Sequence, residues 1–209
     1  RLGALLLVDK CSDLHFLPAK TGVGLARKIG ADIALHLMNR GNVKSDWIHC
    51  TDADVALPSR YFQYTKDLKA CAAAVYPYMH SINSVDSIHK KALSLYEFSL
   101  RYYVDGLRYA GSQHAYHTIG STLAITAESY AKVRGFPIKE SGEDFYILNK
   151  LSKVGKIVAL QGNPIIVEGR ISGRVPFGTG KAIENIVRLF DMNEDFLFYN
   201  PVIFEKLKI

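Results

Sequence analysis

Apolar runs alternate with amphipathic stretches along most of the chain. Trp47-Ile48-His49-Cys50-Thr51 is an apolar run that stops at Asp52-Ala53-Asp54 and resumes as Val55-Ala56-Leu57-Pro58. In an extended chain residues i and i+2 share a side, so the pattern predicts a buried strand that delivers two carboxylates to one object at its end. Ala4 to Val8 predicts another short strand, buried on both faces and ending at Asp9-Lys10-Cys11-Ser12-Asp13. Leu25, Ile29, Ile33 and Leu37 then recur every four residues, with Ala26, Gly30, Ala34 and Met38 in the adjoining row. That spacing predicts a helix over about 24–40, close-packed through its small residues and ended by Gly41.

Pro58 and Ser59 open a helix expected to run to about Lys69, since proline is tolerated at the first helical position. Cys71 to Tyr76 predicts a strand, and Ile88, Ala92, Leu95, Ser99 and Tyr102 predict a long helix between Asp86 and Ala110. A strand over 120–126 leads into a short helix begun by Thr126 and Glu128, before Gly135-Phe136-Pro137. Gly142-Glu143-Asp144 then opens a helix whose Phe145, Ile147, Leu148, Leu151 and Val154 face one side, with Gly155 as its stop. Strands over 156–160 and 164–168, the loop 169–174 and a helix over 180–190 complete the pattern. Strands alternating with helices predict one α/β domain over 1–209, with a mostly parallel central sheet flanked by helices and a C-terminal helical segment over about 180–209.

Composition narrows the picture. The 209 residues are 48% hydrophobic, enough for a sizeable core. No run of 18 apolar residues occurs, so no transmembrane segment is expected, while peripheral membrane contact stays open. Three widely spaced cysteines, Cys11, Cys50 and Cys71, suit a reducing, cytoplasmic setting rather than a disulfide framework. The net charge of +6 fits an anionic partner. Its lysines and arginines are scattered, with no basic stripe of interleaved aromatics, which argues against nucleic acid. Arg1 leads almost at once into an apolar run, which reads as a start inside a longer polypeptide.

The carboxylates are the candidate chemistry. Asp52 and Asp54 suit a hard divalent cation, Mg²⁺ or Mn²⁺, which takes carboxylate oxygens and keeps positions for phosphate or water. Arg27, Lys28, Arg170 and Arg174 are cations for a diphosphate, and Asp144 or Glu143 is a candidate base. As plain structure, Glu143 and Asp144 would only complement a helix dipole, and Asp52 and Asp54 would only form a turn.

The order of these motifs resembles glycosyltransferase family 2, which has the GT-A fold. Gly22-Val23-Gly24-Leu25-Ala26-Arg27-Lys28-Ile29-Gly30 is similar to the Gly-x-x-x-Ala-Arg-Asn-x-Gly segment, and Asp52-Ala53-Asp54 to the Asp-x-Asp motif. Gly120-Ser121-Thr122 through Arg134-Gly135-Phe136 resembles the acceptor-side strand and its turn, and Gly142-Glu143-Asp144 the Glu-Asp motif. The resemblance implies a metal-dependent, inverting, non-processive transfer of a sugar from a nucleotide-diphosphate donor to an acceptor hydroxyl, on a carbohydrate or another molecule. By the same resemblance Asp52 and Asp54 would bind the metal and donor, Asp9 and Arg27 would lie in the donor pocket, and Asp144 would be the general base. Arg170 and Arg174 would close over the leaving diphosphate. The family's opening strand with Pro-x-x-Asn is not found before Ala4, Lys28 stands where the family has Asn, and the Gln-x-x-Arg-Trp motif of processive synthases is absent. His114 and His117 are weak candidates for a third metal ligand. The alternatives are a sugar nucleotidyltransferase, which wants a glycine-rich phosphate loop not seen here, and a non-catalytic carbohydrate- or protein-binding module.

Overall fold

The computed structural model describes residues 4–12, 15–81, 86–169 and 178–208. In chain order the helices and strands are α1 (Gly22–Asn39), β1 (Trp47–Cys50), β2 (Val55–Ala56), β3 (Ala73–Val75), β4 (Tyr78–Ser81), α2 (Ser87–Tyr109), β5 (Leu123–Thr126), α3 (Ala127–Lys132), α4 (Glu143–Leu151), β6 (Ile157–Ala159), β7 (Ile165–Glu168), α5 (Thr179–Asp191) and α6 (Val202–Leu207). Local chemistry sets several boundaries. Gly41 at φ +72° ends α1, its N–H donating to Met38 O while the Asn42 N–H donates to Leu37 O, so a left-handed residue satisfies the last carbonyls. Asp86 caps α2 by accepting from the N–H groups of Ile88 and His89, and Thr126 caps α3 by accepting from Ser129.

The sheets correct the expected architecture. There are two small mixed sheets, ordered β1-β5-β3-β6 and β2-β7-β4, in place of one mostly parallel central sheet. β5 runs antiparallel to both β1 and β3, and β2 antiparallel to β7; only the β3/β6 and β4/β7 pairs are parallel. The reason lies in how the chain is divided between β3 and β5: β4 joins the second sheet, and α2 packs there, with Arg101 Nη2 donating to Tyr78 O at 3.0 Å, and against Ile183 and Ile186 of α5 through Ala92 and Leu93. No single helix crosses from β3 to β5 over one sheet, so the rule that makes such crossovers parallel does not govern β5.

Two further expectations give way. Ala4–Val8 is not a buried strand: Leu5 is 94% exposed and Leu7 84%, and no strand among the described residues pairs with the segment. The helix expected over 58–69 is a 3₁₀ turn at Tyr61–Gln63 followed by further turns, with i to i−3 bonds such as Tyr61 N–H to Pro58 O and Gln63 N–H to Arg60 O. Three residues per turn set Tyr61 and Tyr64 on one side, where both rings meet Tyr76, at centroid distances of 4.6 and 5.9 Å.

The four-stranded sheet separates two cores by strict alternation. Ala73, Val75, Leu123 and Ile125 face α1, α3 and α4, meeting Ala31, Tyr130, Ile147, Leu148 and Leu151. Ala74, Tyr76 and Ala124 face the other way, toward Tyr61 and Ile165. α1 lies close on the loop before α4 through a glycine: the Gly24 N–H donates to Lys139 O at 3.1 Å, and a Cβ there would stand 2.6 Å from the carbonyl oxygens of Lys139 and Pro137. Backbone does not rotate away as a side chain does, so Gly24→Ala should cost about 2 kcal/mol in urea unfolding. Gly30→Ala on the same helix, where a Cβ meets nothing within 4 Å, should instead add up to about 1 kcal/mol. Equal effects at the two positions would mean that this close approach does not matter.

Candidate active site

The acidic loop sits where the chain leaves one sheet for the other. β1 ends at Cys50, Ala53 and Asp54 form a turn, and β2 begins the second sheet at Val55. Strand alternation therefore does not reach the two carboxylates, and a corner between the sheets presents both to one cavity. The antiparallel register of Cys50 with Leu123 carries Gly120–Thr122 past this corner. The loop tied to Gly24 runs on to Gly142, whose φ of +73° turns the chain into α4. Glu143 and Asp144 are thereby brought beside Arg27, five residues into α1.

Arg27 is the hub. Its Nη2 donates to Asp52 Oδ1 at 2.6 Å, and its Nη1 lies 3.3 Å from Glu143 Oε1 without forming a hydrogen bond. The guanidinium rests on the bare backbone of Gly120, where a Cβ would stand 1.9 Å from Nη1. The Arg27 side chain is 11% exposed and that of Glu143 4%, whereas that of Asp52 is 45% exposed.

Burial pushes the Glu143 carboxyl above its ordinary range, Arg27 opposing and the Asp144 charge adding to the rise. Asp144 is also raised by burial, against the pull of the Phe145 N–H, which donates to its Oδ1 at 2.7 Å, and of Arg27. The two acids differ in access. Glu143 is buried, while Asp144 is half-buried on the cavity wall. A half-buried carboxylate with a raised pKa facing open space can take a proton from a bound hydroxyl.

The cavity encloses about 1530 Å³ and runs from this polar end along α1 and the outer side of β1 to Met38, Val43 and Trp47. Among the described residues Arg27 is the one Lys or Arg on its wall. Lys28 points elsewhere, its Nζ 2.9 Å from Asp32 Oδ2 on the side of α1 that meets Tyr130. Asp9 is exposed and folds onto its own loop, accepting from the N–H groups of Cys11 and Ser12, away from the cavity. Arg170 and Arg174 lie outside the described residues. His114 and His117 do not line the cavity: His114 Nδ1 is 3.1 Å from Tyr116 OH, and His117 packs on Tyr78 with burial lowering its pKa to about 4.

Sequence reasoning missed His49, which lines the cavity beside Phe62 with its Nδ1 3.1 Å from Tyr76 OH. Burial lowers its pKa to about 4, so it is neutral at pH 7. Its place between two buried strand residues was the available signal. It also missed what Gly120 does, which is to admit Arg27. Nothing in the spacing of Gly120-Ser121-Thr122 announces an arginine from α1.

Among the described residues no three His, Cys, Asp or Glu side chains are placed to hold a metal ion together, and no helix is long and apolar enough to cross a membrane. Comparison with protein-family models, curated proteins and solved structures finds no match to this chain.

Proposed function

We propose that this chain transfers a sugar, with inversion, from a nucleotide-diphosphate donor to an acceptor hydroxyl, as its resemblance to glycosyltransferase family 2 implies. The observation that supports the reading is the convergence of Arg27, Asp52, Asp54, Glu143 and Asp144, from three separate segments, on one cavity. The donor set of Asp52 and Asp54 suits Mg²⁺ or Mn²⁺, whose remaining positions diphosphate oxygens would take. Such a cation neutralises charge on the leaving diphosphate. The chain's own residues do the rest. Arg27 faces the same negative charge from a buried, fixed position, and Asp144 accepts the proton of the acceptor hydroxyl as the oxygen attacks the anomeric carbon. Glu143, buried with its Oε1 3.3 Å from Arg27 Nη1, balances the charge of the guanidinium.

Titration calorimetry of UDP and of GDP, with and without Mn²⁺ at low salt, tests the reading. Binding of one of them should need Mn²⁺ and weaken at least about 10-fold in Asp54→Ala, an effect within the span of a single charge-assisted contact. Binding that is independent of the cation in both proteins would overturn the role of the two carboxylates. A carbohydrate-binding module without transfer would bind glycans yet ignore both nucleotides.

A further inference from the structure

We infer that two copies of this chain pair by exchanging an apolar segment: residues 4–8 of each copy add as a strand to the outer edge of β1 in the other, filling the apolar end of its cavity. The inference does not depend on what the polar end of the cavity binds.

β1 is an end strand of its sheet, paired with β5 alone among the described strands. The Thr126 N–H donates to Ala72 O, on the β3 side, and the Ala127 N–H donates to Asp46 O, on the β1 side. By antiparallel alternation Ile48 and Cys50 bond to β5, while the N–H and C=O groups of Trp47 and His49 point to the outer edge. The Ser45 hydroxyl caps Trp47, accepting from its N–H at 3.0 Å and donating to its O at 3.2 Å. Beyond this cap the edge faces the cavity, which all four residues of β1 line.

The wall beside that edge is the row Ala26, Gly30, Ala34 and Met38 of α1. A hydrocarbon chain would cover the wall yet leave the backbone groups of the edge unanswered, whereas an extended segment answers both. Residues 4–8 fit it: Leu5, Leu6 and Leu7 are 94%, 63% and 84% exposed, with no described strand beside them. Five extended residues span about 17 Å, against about 13 Å for the four of β1. Leu5 and Leu7 share a side and can enter together against the small residues of α1.

Charge selects a second copy over the chain's own segment. α1 begins at the polar end, where Gly22 meets Glu140, so the chain's own segment would come from there and set Asp9 among Asp52, Asp54, Glu140 and Asp144, with Arg27 to offset them. A second copy's segment can enter from the other end, antiparallel to β1, where the exposed Arg40 and Lys44 flank Val43 and outnumber Asp46. The exchange is reciprocal, so the pair closes on itself.

The test is light scattering over a dilution series, with amide hydrogen exchange at His49. The wild type should form a dimer of twice the chain's 23.3 kDa, with the His49 N–H slowed. Leu5→Glu combined with Leu7→Glu should weaken the dimer at least about 100-fold, since burying one leucine is worth about tenfold or more. The urea midpoint of the monomer should not move, because both positions are exposed there. Gly30→Phe, at a position where a Cβ meets nothing within 4 Å, should fill the groove and weaken the dimer comparably; if it does not fold, the double glutamate variant decides. A wild type that stays monomeric at every concentration, or a dimer that survives both glutamates, would overturn the inference. So would a monomer whose His49 N–H is slowed in the wild type and released by the glutamates, since the segment would then occupy its own groove.

Discussion

Asp144→Asn is expected to lower turnover by about 10²-fold or more, the usual weight of a general base, while Mn²⁺-dependent nucleotide binding stays within about twofold. Asn keeps the shape and the partnership with the Phe145 N–H but cannot accept the acceptor's proton. The pH profile should separate this from a structural effect. Burial raises the Asp144 pKa, and the base works only when ionised. The acidic limb of turnover should therefore fall through a value above the ordinary Asp pKa of about 3.9, and it should vanish from the residual activity of the variant. The measurement is release of UDP or GDP from the matching nucleotide sugar between pH 4 and 9, a range chosen around about 3.9. Unchanged turnover in Asp144→Asn would remove this residue from the role. Glu143→Gln makes the contrast: it should affect nucleotide binding through Arg27 and leave the acidic limb in place.

The second large effect is expected at Gly120. A Cβ there would stand 1.9 Å from Arg27 Nη1 and 2.5 Å from Cζ, so Gly120→Ala should drive the guanidinium off its seat. Asp52, half-exposed, loses little when that happens, because water takes over. Glu143 has no such recourse, since its side chain is 4% exposed. Removing one partner of a buried pair typically costs about 3 kcal/mol or more, and protonation of Glu143 caps that cost at low pH. The sign follows from linkage. Burial already lifts the folded-state pKa of Glu143 above its unfolded value, with Arg27 restraining the rise. Without Arg27 the folded state holds its proton to higher pH, and stability present below about pH 4.3 is lost as pH rises. The deficit of Gly120→Ala against wild type in urea unfolding should therefore be larger at pH 8 than at pH 5, values that bracket the raised range above about 4.3. A deficit that does not depend on pH would mean that Glu143 tolerates the loss of Arg27.

Local chemistry was legible along the sequence. The four-residue apolar repeat of α1, its Gly41 stop, the start of α2 after Asp86, the start of α3 at Thr126 and the opening of α4 at Gly142 all stand within one residue of where the pattern put them. These are decided within about one turn of chain, by side-chain spacing and by which residues satisfy terminal N–H and C=O groups. The same range covers Asp52-Ala53-Asp54 ending β1 and Glu143-Asp144 opening α4.

Strand direction and partnership were not legible, because they depend on where a connecting helix finds its own apolar partner. α2 found α5 about 90 residues later, roughly a span over which no local pattern operates, and β4 left for the second sheet before β5 entered the first antiparallel. Ala4–Val8 has the composition of a buried strand, yet a strand is made by a neighbour's hydrogen bonds, and none among the described residues supplies them. The candidate site divides the same way. Its residue types and their order are local, and the sequence determined them. That Arg27, and not the adjacent Lys28, reaches Asp52 and Glu143, that Asp9 stays outside the cavity, and that Gly120 clears the space were decided by the tertiary structure. A helix face turns 100° per residue, and only packing against Tyr130 on one side and Gly120 on the other selects which of two neighbouring cations faces the acids.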